Sequence, residues 1–162
     1  MHEPFTVTSC GVGCANRCSP LACSMSKRPR MTDRDYERAR TDTIIAERFK
    51  TSCMNDTKWV RLLDALTAND GLVVDCRAKL VWDAEIRYMQ IDGMQRDFDY
   101  WPHAMEAMIS GTPRGWYDYK EIEWIEFPSA EQDLGQIRST IESVGKFELE
   151  STDAGLRLYA YR

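Results

Sequence analysis

In the run LVVDCRAKLVW, residues 72–82, Val74, Cys76, Ala78, Leu80 and Trp82 fall on one side of an extended chain. Asp75, Arg77 and Lys79 fall on the other. Alternation of this kind predicts a strand with one face on a core and the other in water. The stretch before it, MNDTKWVRLLDALTAND, repeats with a different period. Trp59, Leu62, Leu63 and Leu66 recur at i, i+3, i+4 and i+7 behind Asn55 or Asp56 as a cap, the pattern of a core-facing helix. Asp70-Gly71 ends it. A half-buried strand beside an amphipathic helix points to an antiparallel sheet with helices on one side.

The later segments extend this picture. AEIRYMQ reads as a second strand, and Asp92-Gly93 as a hairpin turn into a third at 94–98. WPHAMEAMIS, 101–110, reads as a short helix with Pro102 in its first turn. YKEIEWIEF, 119–127, reads as a strand with Ile122 and Trp124 inward and Glu121 and Glu123 on a solvated face. Ser129 and Gln132 suggest a capping box for a helix carrying Leu134, Ile137, Ile141 and Val144. KFELE and LRLYAY should close as a hairpin across Asp153-Ala154-Gly155. The expected fold is α+β, a mainly antiparallel sheet with two amphipathic helices packed on one face.

Residues 1–53 differ in character and are expected to form an N-terminal extension. It should be largely disordered, with a charged helix near 33–49 that shows only a ragged stripe of Tyr36, Ala39, Ile44 and Phe49. Residues 54–162 then make a single α+β domain. The opening MNDTKW, the strand YKEIEWIEF and the closing LRLYAYR resemble an uncharacterised family of small bacterial domains of unknown function, over residues 54–162. The resemblance implies that Met54 sits where such relatives begin. It supplies no catalytic residues.

Charge narrows the partner classes. The chain carries a formal net charge of −5, and its two parts differ in sign. Residues 1–53 hold nine Lys or Arg against six Asp or Glu, and residues 54–162 hold twelve against twenty. An acidic body repels phosphate backbones and attracts basic protein surfaces, so nucleic acid is not expected as a ligand. No apolar run reaches the length that crosses a bilayer, and no signal peptide is recognisable. The expected location is the cytoplasm, where thiols stay reduced.

Cys10, Cys14, Cys18 and Cys23 could hold zinc as four thiolates. Their spacing lacks the usual two-residue gap of a first ligand pair, and no aromatic residue lies between them. They are expected to sit in an unstructured extension, with no metal and no cofactor. Cys76 alternates with apolar neighbours and reads as a small core residue. His103 reads as a surface or capping histidine, so no catalytic residue is assigned.

Two functions are weighed. The first is a small binding module, of the immunity-protein type, that neutralises a basic protein partner. Its candidate contacts are Asp97, Asp99, Glu121 and Glu123, with Trp116 and Tyr117 of GWYDY as aromatic anchors. The alternative is a small metal-dependent, nuclease-like hydrolase. There Asp97, Asp99 and Asp118 would hold the metal, and Lys120, in an acid-x-lysine pair, would stabilise developing charge. D-x-K is common by chance, and the acidic body opposes a DNA substrate, so the binding module is preferred.

Overall fold

A computed structural model describes the chain at residues 33–91, 96–98, 101–105, 109–110 and 117–162; for 96–98 and 101–105 the description is of the backbone alone. The first helix, α1, spans Asp33–Arg48, and the second, α2, spans Asp56–Thr67. Asn55 caps α2 as expected, its side chain accepting a hydrogen bond from the Lys58 N–H at 2.9 Å. Trp59, Leu62, Leu63 and Leu66 are all buried. Gly71 follows the helix with φ at +72°, a conformation in which a glycine avoids the usual side-chain penalty.

The strands are β1 (Arg77–Leu80), β2 (Ile86–Tyr88), β3 (Arg96–Phe98), β4 (Trp101–Met105), β5 (Tyr117–Asp118) and β6 (Ile122–Pro128). A 3-10 turn, Tyr119–Glu121, separates β5 from β6. Helix α3 (Leu134–Val144) and the hairpin β7 (Glu148–Ser151) and β8 (Gly155–Tyr159) follow. Five strands form an antiparallel sheet in the order β2-β1-β6-β8-β7, and three form a second sheet in the order β3-β4-β5. The fold is α+β with mainly antiparallel pairing, as the sequence implies.

Register sorts the large sheet into two faces. Ala78, Ile125, Leu158 and Leu149 lie opposite one another across β1, β6, β8 and β7. The first three belong to the core that also holds Leu62, Leu66, Ile137 and Ile141, and Leu149 packs against it. Helices α2 and α3 therefore share one buried face. The alternation at 72–82 holds for Cys76, Ala78 and Leu80 but fails at its ends, since Val74 is half exposed and Val81 is buried. Gly155 stands opposite Pro128, where a Cβ would lie 2.0 Å from the Phe127 carbonyl oxygen. Only a glycine allows β8 so close to β6 there.

Three expectations are corrected. Residues 101–105 form a strand and not the start of a helix. Trp101 lies opposite Phe98, and an aromatic stretch favours extended pairing. The β3–β4 register is irregular beside Pro102, which is where a strand tolerates a residue without an N–H. Among the described residues β2 and β3 are not paired: β2 is the edge of the large sheet, beside β1, and β3 the edge of the small one, beside β4; Asp92 and Gly93 lie outside the described residues. Helix α3 is capped by Asp133, which accepts from the Gln136 N–H at 3.0 Å. Gln132 instead ties the loop before β1 to the end of β6, accepting from the Val74 N–H and donating to the Asp75 and Pro128 carbonyls. The compact unit that holds these elements runs from Met31 to Arg162 and includes α1.

The linker after α1 explains that attachment. The Lys50 and Thr51 N–H groups both donate to the Arg162 carbonyl, at 2.7 and 3.0 Å, and the Arg162 N–H returns a bond to the Thr51 carbonyl. Cys53 N–H donates to the Ala160 carbonyl, and the Phe49 ring packs on Tyr161 with centroids 5.2 Å apart.

Candidate functional site

The residues that the sequence marks for chemistry gather at the 3-10 turn before β6. Asp118 ends β5, and its backbone N–H donates to the Glu121 carboxylate at 3.2 Å. The tight turn thus places two carboxylates side by side. On α1, Arg34 and Arg38 are four residues apart and so share a helix face. Both reach Asp118: Arg34 Nη2 at 2.7 Å to Oδ1, and Arg38 Nε at 2.6 Å to Oδ2. The Asp118 side chain is only 4% exposed. Burial works against its charge, but the hydrogen bonds from Arg38 and Arg34 outweigh burial and hold the carboxyl below the usual range.

Glu121 goes the other way. Burial pushes its carboxyl above the ordinary glutamate range, against the pull of its two donors, Trp82 Nε1 at 3.0 Å and the Asp118 N–H. Glu123 pairs with Arg48 at 3.1 Å, and Arg48 also donates to the Val81 carbonyl. Lys120 pairs with Asp42 of α1 at 2.7 Å, while its carbonyl accepts from the Tyr161 hydroxyl. Burial pushes that hydroxyl up to about 12, so it stays a donor. Between these elements and the start of α2 lies a cleft of about 210 Å³ lined by Arg38, Asp56, Asp118 and Lys120.

The expected exposure of Glu121 and Glu123 is corrected: Glu121 belongs to the 3-10 turn and faces Trp82, and Glu123 faces Arg48. Tyr117, expected as an exposed anchor, is 3% exposed, because β5 pairs with β4 and turns its ring inward. Asp97 lies on β3, known here by its backbone, and Asp99 and Trp116 lie outside the described residues. So do Cys10, Cys14, Cys18 and Cys23. His103 lies on β4. Cys76 is 1% exposed, and burial pushes its thiol far above the range in which it reacts, consistent with a core residue. Among the described residues, no group of three potential metal ligands comes together, and no helix is long and apolar enough to cross a membrane.

The partners of this site that sequence reading misses are Arg34, Arg38 and Arg48. A signal for them exists. Arg34, Arg38, Thr41, Ile45 and Arg48 follow helical spacing along one side of α1, and Thr41 is buried among them. Counting apolar residues alone hides that polar stripe.

No curated protein and no solved structure matches the chain. One family model does, over residues 41–150, beginning within α1 and so upstream of Met54. That span is more than half of the sequence, and the chain belongs to DUF6678, a family of unknown function.

Proposed function

We propose that this domain is a binding module that engages a basic protein partner, in the manner of an immunity-type protein, and is not a hydrolase. The pairing of Asp118 carries this reading. A carboxylate that holds a metal turns its lone pairs to the ion. Those of Asp118 meet the guanidinium groups of Arg34 and Arg38, and Lys120 is drawn to Asp42. The acid-x-lysine pair therefore works as cement between α1 and the turn that leads into β6.

The outward side of α1 fits a partner better than the cleft does. Tyr36 is 65% exposed, more than any other large apolar side chain among the described residues, and Asp33, Asp35 and Glu37 around it are exposed. Acidic residues in a first turn also suit the helix dipole, so the charge alone has a structural explanation. The bare tyrosine ring does not. A tyrosine with Asp33, Asp35 and Glu37 beside it, and a single exposed base, Arg40, one turn on, suits a basic surface: opposite charges speed encounter, and the ring supplies the anchor.

The test uses the full chain against the basic product of a neighbouring gene, with association followed at several ionic strengths. The association rate should fall as salt rises, and Tyr36→Ala should speed dissociation by at least about tenfold. Salt-independent association, or a Tyr36→Ala variant that binds unchanged, removes this surface. Magnesium-dependent cleavage of nucleic acid that disappears in Asp118→Ala returns the case to the hydrolase built on Asp97, Asp99, Asp118 and Lys120.

A further inference from the structure

Helix α1 changes character at residue 41. Before it, Asp33, Asp35, Tyr36, Glu37, Ala39 and Arg40 are exposed, and only Arg34 and Arg38 are half-buried. From there on, Thr41 is buried, and Ile44, Ile45 and Phe49 pack against the core. The span shared with the family starts at the same residue, so it takes in Asp118 and Glu121 but not Arg34 and Arg38. The first two turns are a charged extension of a helix that is anchored further on.

Beneath those turns sits a carboxylate that needs what they bring. Asp118 is buried, its neighbour Glu121 is a second carboxylate, and Lys120 beside it is paired with Asp42. Arg34 Nη2 reaches Asp118 Oδ1 at 2.7 Å, and Arg38 holds both carboxylate oxygens, through Nε at 2.6 Å and Nη2 at 3.2 Å. A two-pronged grip of this kind is open to a guanidinium and closed to an ammonium. A buried carboxylate that loses its partner is costly, so a body from which these turns lift away presents a receptor for guanidinium groups. Asp118 also lines the cleft beside Arg38, which gives an incoming side chain a path to it.

We propose that residues 33–40 are a displaceable latch over Asp118, and that a basic partner seats there by putting its own arginines where Arg34 and Arg38 stand. This rests on the reading of a basic protein partner and deepens it. The exposed Tyr36, Asp33, Asp35 and Glu37 lie on the same two turns, so a surface that grips them already stands next to Asp118. Exchange of one arginine pair for another then keeps the carboxylate paired at the end as at the start. The partner element that fits is a helix with two arginines four residues apart, the spacing that Asp118 accepts from α1. The resident arginines compete with the incoming ones, so the latched chain binds more weakly than an unlatched one.

The experiment titrates the full chain into a labelled, alanine-rich helical peptide with two arginines four residues apart, followed by fluorescence anisotropy. Arg34→Gln with Arg38→Gln should bind the peptide at least about tenfold more tightly than wild type does, because nothing then occupies the site. Adding Asp118→Asn should abolish that gain, and a peptide with lysines for arginines should bind more weakly. Amide exchange in the double variant should quicken at 33–40 and stay slow in α2. Circular dichroism establishes that each variant is folded; if the double variant unfolds, the single change Arg38→Gln gives the same comparison. Equal binding by the wild-type and unlatched chains overturns the inference, and so does a gain that survives Asp118→Asn. Lysine peptide that binds as well as arginine peptide overturns it too, as does exchange that quickens across the whole domain. The product of the neighbouring gene plays no part here: peptide binding without binding of that product would remove the proposed partner and keep the latch.

Discussion

Helices α1 and α2 are neighbours in sequence, belong to the same compact unit, and are held in it by different physics. Helix α2 buries Trp59, Leu62, Leu63 and Leu66. Helix α1 buries only Thr41 and rests on ion pairs from Arg34 and Arg38 to Asp118, Arg48 to Glu123, and Asp42 to Lys120. Ile44, Ile45 and Phe49 add partly buried apolar packing. Apolar burial is non-directional and additive, so α2 should behave as part of the cooperative core. Ion pairs near the surface are directional, screened by salt, and individually weak, so α1 should come away first.

The largest expected effect lies in α2. Leu62→Ala empties a fully buried site and should cost about 2–5 kcal/mol by chemical denaturation. Amide exchange should then quicken across the whole domain, because the core opens as one unit. Exchange confined to α2 would erase the distinction between the two helices.

A smaller effect is expected from Asp118→Ala. The carboxylate is nearly inaccessible, but Arg34 and Arg38 are 26% and 37% exposed, so water takes over part of their solvation. The cost should be about 1–3 kcal/mol, below that of breaking a fully buried pair. Faster exchange should appear in α1 before α2. Equal acceleration in both helices would mean that α1 is as integral to the core as α2.

The smallest effect concerns pH, and it separates the two carboxylates of the 3-10 turn. Asp118 has a lowered carboxyl, so its contribution is present above the ordinary aspartate value of about 3.9 and is lost as pH falls through its folded value. Glu121 has a raised one. It favours folding below the ordinary glutamate value of about 4.3, and that contribution is lost as pH rises through its folded value. Relative to wild type, Glu121→Gln should therefore gain stability as pH climbs from about 4 to 7. A difference between the two proteins that does not change with pH would place Glu121 in water.

Legibility followed the same division. The α2 stripe, the Asn55 cap, the Cys76–Leu80 alternation and the β7–β8 hairpin could all be read because local pattern and tertiary burial agree there. What could not be read depends on residues far apart in sequence. Glu121 and Glu123 look like a solvated sheet face until Trp82 and Arg48 are brought to them. Gln132 has the spacing of a capping residue, but the loop before β1 claims its amide. Pro102 signals a helix start by local rules, and only the pairing of β4 on both sides makes its segment a strand. Arg34 and Arg38 carry no apolar signal, so their face of α1 shows only when polar residues are counted with helical spacing.

The short ladder joining Lys50 and Thr51 to Arg162, and Cys53 to Ala160, has a consequence in time. Its two sides lie at residues 50–53 and 160–162, so the ring it closes encloses α2, the large sheet and α3. Loop-closure entropy delays such a contact until intervening local structure has shortened the path. The α2 stripe and the β7–β8 hairpin need no such wait. Folding should therefore leave α1 untethered until the sheet stands, making its docking the event that completes the domain.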